Sequence, residues 1–223
     1  MKPYLTLKGI LDCVLAVTVL PIVLPIMAIA AMAIKIEEPE GPVFFNQKRP
    51  GKDGRIFEVY KFRTMRIETK RNGRQLSDIE RMTKVGSFLR KTSIDELPQV
   101  FNILLGEMSF IGPRPLLVQY LSHYTPEQMR RHKVRPGISG WAQVNGRNTI
   151  SWEEKFKLDV WYVDNISFLL DMKIFFMTIR NVFSRKGINN SEEDTMPLFS
   201  NESSCKELHE TRIRTRVERK SID

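Results

Sequence analysis

The sequence predicts an α+β, mainly helical protein: a membrane-embedded N-terminal helix, then a compact domain with a small β-hairpin and amphipathic helices. Three observations carry this expectation. From Cys13 to Ile34 there are 22 residues without a charge, about 33 Å long as a helix and matched to a bilayer's hydrocarbon core. In "VFFNQKRPGKDGRIFEVYKFRTM" (43–65) two β-prone runs flank a turn rich in Pro, Gly and Asp, which is a hairpin signal. Beyond the hairpin, "SDIERMTKVGSFLRK", "PQVFNILLGEM", "SWEEKFKLDVWYVDN" and "SFLLDMKIFFMTIRNVFSRKG" read as helices.

The apolar segment is longer than the roughly 7–15 residues of a signal-peptide core. It is therefore read as a retained anchor, although "AMA" at 31–33 resembles a cleavage site. Pro21 and Pro25 fall in its middle, and each removes a helical hydrogen-bond donor. Lys2 and Lys8 precede it and Lys35 follows it, so both ends are positively flanked. A straight span would carry one of those ends across the membrane, whereas a helix bent at the prolines would dip in and return. The residues alone leave both shapes open.

After the exit "IEEPEGP" (36–42) and the hairpin, "SDIERMTKVGSFLRK" reads as one helix with Ile79, Met82, Val85 and Leu89 on its apolar side. In "SIDELPQ" (93–99), Ser93 or Asp95 suits an N-cap, and Glu96 lies where a capping box needs it, so a helix is expected to start here. "SWEEKFKLDVWYVDN" opens with Ser151 and Glu154, another capping-box pattern. "SFLLDMKIFFMTIRNVFSRKG" sets Leu169, Ile174 and Phe175 beside Lys173 and Arg180. That helix suits the plane of an anionic membrane surface, and equally a face packed on the domain.

With 35 Lys and Arg against 26 Asp and Glu, the net charge is +9. An anionic partner is implied: nucleic acid, lipid headgroups or phosphorylated small molecules. A membrane-tethered nucleic-acid-binding protein is the remote alternative, prompted by this charge and the basic "RIRTRVERK" near the end. No base-reading motif supports it, and no nucleic-acid partner is expected. Cys13 and Cys205 make neither a disulfide framework nor a zinc pattern, in keeping with a reducing compartment, and the three histidines lack metal-ligand spacing. The chain has no phosphate loop, no dinucleotide fingerprint and no nucleophile elbow. It also has no Asp-x-Asp of the common metal-dependent sugar transferases.

What remains is the adjacent pair Asp95 and Glu96. An ionised Asp can attack phosphorus to give an acyl phosphate. Its neighbour Glu can help hold a divalent metal that neutralises a pyrophosphate. Mg2+ is the ion expected, because it prefers oxygen and is commonly held by one or two carboxylates plus substrate phosphates. A helix start is compatible with this, since exposed amides and the dipole favour both the anion and a phosphoryl group. Arg90, Lys91 and Arg114 of "IGPRP" can contact phosphate oxygens.

"QKRPG", "YKFRTM", "SIDELPQVFNILLGEMSFIGPRPL", "HKVRPGISGWAQVNGRN" and "KFKLDVWYVDNISFLLDMKIFF" occur in that order. Together, over roughly residues 5–190, they closely resemble the bacterial sugar transferase family of monotopic polyprenyl-phosphate phosphoglycosyltransferases. The resemblance is to its small, single-domain members, which transfer N,N'-diacetylbacillosamine 1-phosphate or a related amino-sugar phosphate from UDP to undecaprenyl phosphate. It implies a ping-pong reaction in which Asp95 attacks the UDP-sugar, expels UMP and holds the sugar phosphate until undecaprenyl phosphate takes it. Galactose or glucose 1-phosphate is the alternative cargo.

The resemblance further assigns Glu96, with Asp95, to the metal. Lys61, Arg63, Arg90, Arg114 and Asp159 fall in active-site motifs, and Gln143 and Arg147 fall in a nucleotide-sugar segment. It implies a re-entrant helix kinked at Pro21 and Pro25 on the cytoplasmic face of the bacterial inner membrane. This chain reads Leu24-Pro25 where the family has Ser-Pro, and Lys8-Gly9 where the family has a basic pair. The expected division is an anchor over 1–36, a catalytic domain over 37–188 and a polar, flexible tail over 189–223. Nothing in the sequence sets an oligomeric state.

Overall fold

A computed structural model describes residues 3–71, 73–146 and 150–183, together with Phe199. The protein is mainly helical, with three two-stranded sheets among the described residues. The first helix, α1 (Pro3–Glu37), runs through Pro21 and Pro25 without losing its helical character. The prolines stand four apart, so the lost donors lie on one side of the helix, and both face away from the domain.

The opposite side of α1 is buried at Lys8, Asp12 and Ala16 and again at Met27, Ala30 and Ile34. α1 is therefore covered by the domain along most of its length, while Leu7, Val14, Ile22 and Ile29 are exposed on its outer side. Its inward Lys8 is ion-paired, and its inward Asp12 has a backbone donor and lies 3.9 Å from Lys8 Nζ. Lys8 Nζ donates to Asp171 Oδ2 at 2.6 Å, and the Phe110 amide donates to Asp12 Oδ1 at 3.2 Å. Tyr4 and Tyr162 hydroxyls also donate to Asp171, at 2.6 and 2.7 Å. Asp171 is satisfied by these three donors, whereas Asp12 Oδ2 is buried without a hydrogen bond among the described residues.

The hairpin forms where expected, as β1 (Phe44–Pro50) paired antiparallel with β2 (Ile56–Phe62). Asp53 and Gly54 take the positive φ angles, 55° and 74°, that close its turn. Phe57 and Val59 point inward and share a core with Ala16 of α1 and with Val100, Ile103 and Met108. A minor ribbon, β3 (Lys70–Arg71) and β4 (Arg74–Gln75), comes next in the chain.

The helix expected over 77–91 is two helices. α2 (Asp78–Arg81) carries a full capping box from Ser77 and Glu80. α3 (Lys84–Thr92) starts afresh at Thr83, whose side chain accepts from the Gly86 amide. Met82 bridges to Met65, so tertiary pairing overrides the helical period at that point. A Cβ on Gly86 would lie 2.0 Å from the Thr64 carbonyl oxygen, so glycine lets α3 sit directly on the end of β2.

The expected capping role of "SIDELPQ" is not formed. Ser93 instead closes α3 in the left-handed region (φ 59°), and Ile94–Glu96 is a single 3-10 turn without a side-chain cap. α4 (Gln99–Leu104) begins only after Pro98. β5 (Ser109–Ile111) and β6 (Gly137–Ser139) pair in parallel, with the short α5 (Pro126–Met129) between them. α6 (Trp141–Asn145), α7 (Trp152–Asn165) and α8 (Phe168–Phe183) complete the described chain. Ser151 caps α7 as its sequence pattern requires.

One side of α8 packs on the domain, as one of its two readings expects. Asp171 and Ile174 are buried against the domain, while Leu169 and Phe176 stand exposed. Phe199, inside the stretch expected to be a polar tail, is buried among Tyr120, Tyr124, Trp152 and Phe156. The rest of that stretch lies outside the described residues.

Candidate active site

The turn carrying Asp95 and Glu96 is held from two sides. Asn102 of α4 is fully buried and acts as a strand partner for β2. Its Oδ1 accepts from the Tyr60 amide at 3.0 Å and its Nδ2 donates to the Glu58 carbonyl at 2.7 Å. This pins β2 so that Lys61, the next residue, reaches Glu96. On the other side, Thr64 Oγ1 accepts from Arg90 Nε at 3.0 Å, which keeps the guanidinium of α3 near Asp95.

Glu96 Oε1 accepts from Lys61 Nζ at 2.6 Å and from Arg114 Nη2 at 2.7 Å. Both cations use the same oxygen, leaving Oε2 available. Burial would raise the Glu96 pKa, but the Arg114 and Lys61 charges outweigh it and hold the carboxyl far below its ordinary range. Lys61 itself is lowered by burial, with Glu96 opposing.

Asp95 is the contrasting member. Among the described residues its carboxylate accepts no hydrogen bond. Burial, with the charge of Glu96 beside it, pushes its pKa up to about 6 against the pull of Lys61, Arg90 and Arg114. It is thus largely ionised but under-solvated at neutral pH, and more basic than an ordinary Asp.

Arg114 follows β5 and is aimed by a buried ion pair. Arg131 donates to Asp159 Oδ2 from Nε (3.0 Å) and from Nη2 (2.7 Å), and its Nη2 also donates to the Arg114 carbonyl at 2.7 Å. The side chains of Arg131 and Asp159 are only 1% and 3% exposed. Asp159 is thus connected to the dyad through Arg131 and the Arg114 backbone.

The structure brings Asp95, Glu96, Lys61, Arg90 and Arg114 together. The remaining candidates are placed elsewhere. Arg63 is buried and donates to the Glu38 carbonyl at 3.0 Å, under the link from α1 to β1. Gln143 Nε2 donates to the Ile138 carbonyl at 2.9 Å, bracing α6 on β6, and Trp141 stacks on Trp161. Arg147 lies outside the described residues.

Two residues were not singled out from the sequence. Arg131 sits in a basic run, "RRHK", which reads as solvated surface, and no periodicity links it to Asp159. Arg49 of "QKRPG" is half-buried, and burial and the nearby Arg114 push its pKa down to about 10. It donates to Gln47 Oε1 and has no carboxylate partner among the described residues. Its motif was the available signal.

No cluster of three or more metal-ligating side chains occurs among the described residues. The donor set at the dyad is two carboxylates, one with a free oxygen, which fits Mg2+ when substrate phosphates supply further oxygens.

An acidic dyad set among Lys61, Arg90 and Arg114 beside a long apolar helix suits a site for phosphorylated substrates. The chain belongs to the bacterial sugar transferase family, whose model matches residues 3–185. It is 51% identical over 196 residues to the uncharacterized sugar transferase EpsL of Bacillus subtilis (strain 168), covering 87% of this chain and 96% of that protein. It is 43% identical over 192 residues to the UDP-N-acetylgalactosamine-undecaprenyl-phosphate N-acetylgalactosaminephosphotransferase of Aeromonas hydrophila, covering 82% of this chain and 45% of that one. The corresponding values for the UDP-glucose:undecaprenyl-phosphate glucose-1-phosphate transferase of Escherichia coli (strain K12) are 42% over 190 residues, 81% and 41%. The chain thus spans nearly all of the first relative and less than half of the other two.

Proposed function

We propose that the protein transfers a sugar 1-phosphate from a UDP-sugar to undecaprenyl phosphate, releasing UMP and leaving a polyprenyl diphosphosugar. The observation that carries this reading is the unpartnered Asp95 carboxylate beside a Glu96 already anchored by Lys61 and Arg114. In the first displacement an Asp95 oxygen bonds to the β-phosphorus, and the bond from that phosphorus to the bridging oxygen of UMP breaks. In the second, a phosphate oxygen of the acceptor bonds to the same phosphorus and Asp95 leaves as carboxylate. Arg90, Arg114 and Lys61 offset the charge that builds on the phosphoryl oxygens, and Arg49 adds to the same cationic setting.

Mg2+ held by Asp95 and the free oxygen of Glu96 would neutralise the pyrophosphate. The sugar is a UDP-activated hexose or hexosamine. The relatives' names include N-acetylgalactosamine and glucose, and N,N'-diacetylbacillosamine stays within the range to be tested.

We also read α1 as re-entrant. A helix crossing a bilayer leaves a stretch of about 20 residues clear of a domain on one side, whereas here burial recurs from Lys8 to Ile34. With UDP-sugars being cytoplasmic, the site faces the cytoplasm. Cysteines placed at positions 2 and 40 should both react with an impermeant maleimide only after the inner membrane is breached. Labelling from opposite sides would sink the re-entrant shape.

The function is tested by purifying the protein in detergent and following UMP across a panel of UDP-sugars. Sustained release should require undecaprenyl phosphate and Mg2+, and normal turnover by Asp95→Asn would rule out the covalent route.

A further inference from the structure

An open apolar groove of about 420 Å³ runs between α1 and α3, lined by Ile26, Ile29, Ala30 and Ala33 on one side and by Val85, Phe88 and Leu89 on the other. Lys84 is its one charged lining residue, and Ile94 also lines it. The groove exists because Ala30 and Ala33 are too small to fill the space to α3. The groove is open to the surface and almost wholly apolar, and exposed apolar surface of this kind marks a place where an apolar occupant binds.

We propose that this groove holds the first isoprenoid units of the polyprenyl-phosphate acceptor, an inference that rests on the transfer reaction proposed above. Three features select that occupant. Ile94, which lines the groove, immediately precedes Asp95 in the same 3-10 turn, so groove and carboxylate share one short piece of backbone. The short helix α3 supplies both environments: Val85, Phe88 and Leu89 line the groove, while Arg90 acts on Asp95. The mouth is rimmed by exposed apolar side chains of both helices: Ile29 of α1 is 64% exposed and Phe88 of α3 is 59% exposed. An anion joined to a long branched hydrocarbon matches a cationic site joined to an apolar groove that opens on the membrane-facing side.

In the two-displacement scheme the groove serves only the second step, and this makes it separable. Exchange of labelled UMP into UDP-sugar needs Asp95 but no acceptor. Ala33→Phe and Ala33→Leu, at a partly buried position, fill the groove, and each should raise the KM for undecaprenyl phosphate severalfold to about tenfold while UMP exchange stays at the wild-type rate. Phe88→Ala, at an exposed position, should raise the same KM severalfold without threatening the fold.

Independently, a polyprenyl phosphate bearing a diazirine on its first isoprene units should label wild-type protein within 26–33 or 84–94. Groove-filled variants that transfer at the wild-type rate, or labelling confined to other segments, overturn the proposal and leave the groove to bulk lipid. Wild-type protein that exchanges no UMP would instead count against the covalent transfer reading, and the photolabel would then decide the groove by itself.

Discussion

Two ion clusters built from the same residue types are set to opposite purposes. Arg131 and Asp159 are almost wholly buried and satisfy each other, with the spare guanidinium donor spent on the Arg114 carbonyl. At the dyad, Glu96 is 16% exposed and shared between two cations, while Asp95 accepts nothing. A saturated buried pair fixes geometry, whereas an unsaturated carboxylate beside it retains reactivity at a cost in stability. The charge count of a cluster therefore says less about its role than which oxygens remain unengaged.

The sharpest test of this contrast is Asp95→Asn. Transfer, followed as UMP release, should fall by roughly 10³-fold or more, as for loss of a nucleophile. The same change should stabilise the protein at pH 7 by roughly 1–3 kcal/mol, seen as a higher melting temperature. Because burial raises the folded-state pKa of Asp95 to about 6, its protonated form stabilises the fold. That contribution is complete below about pH 4 and is lost as pH rises through about 6. The gain from Asn should therefore vanish near pH 4.

Asp159→Asn should act in the other direction. It leaves Arg131 buried without its carboxylate, costing about 3–5 kcal/mol in chemical denaturation. The double change Arg131→Met with Asp159→Leu should recover most of that stability but not the transfer rate, because the Arg114 carbonyl still lacks its donor. Full recovery of both would reduce the pair to packing.

Glu96→Gln should lower turnover by roughly 10²-fold, as for loss of a positioned electrostatic partner. It should also move the acid limb of the pH–rate profile below about 6, because the Glu96 charge is one of the causes that raise Asp95. The smallest effect is expected for Arg49→Ala, a severalfold rise in KM for the UDP-sugar with an unchanged melting temperature.

The sequence carried the hairpin, the capped α7 and the long apolar helix, because each rests on local pattern. The dyad and Lys61, Arg90 and Arg114 were also legible, through motifs rather than periodicity. The break at Met82–Thr83 was not, since it depends on a bridge to Met65 and on Gly86 meeting Thr64, both distant in sequence. Nor was the left-handed Ser93, which turns an expected helix cap into the end of α3. Arg131 escaped notice because a buried ion pair 28 residues apart leaves no local trace.

Ala16, Met27, Ala30 and Ile34 of α1 sit within the same clusters as Val59, Phe62, Leu89 and Ile103. A truncated version lacking the first 36 residues would lose more than its attachment. It would expose the packing surface under the hairpin and α3, and with it the shelf that carries Asp95. Here α1 is an internal wall of the domain, so cutting it away would remove packing on which the active-site turn rests.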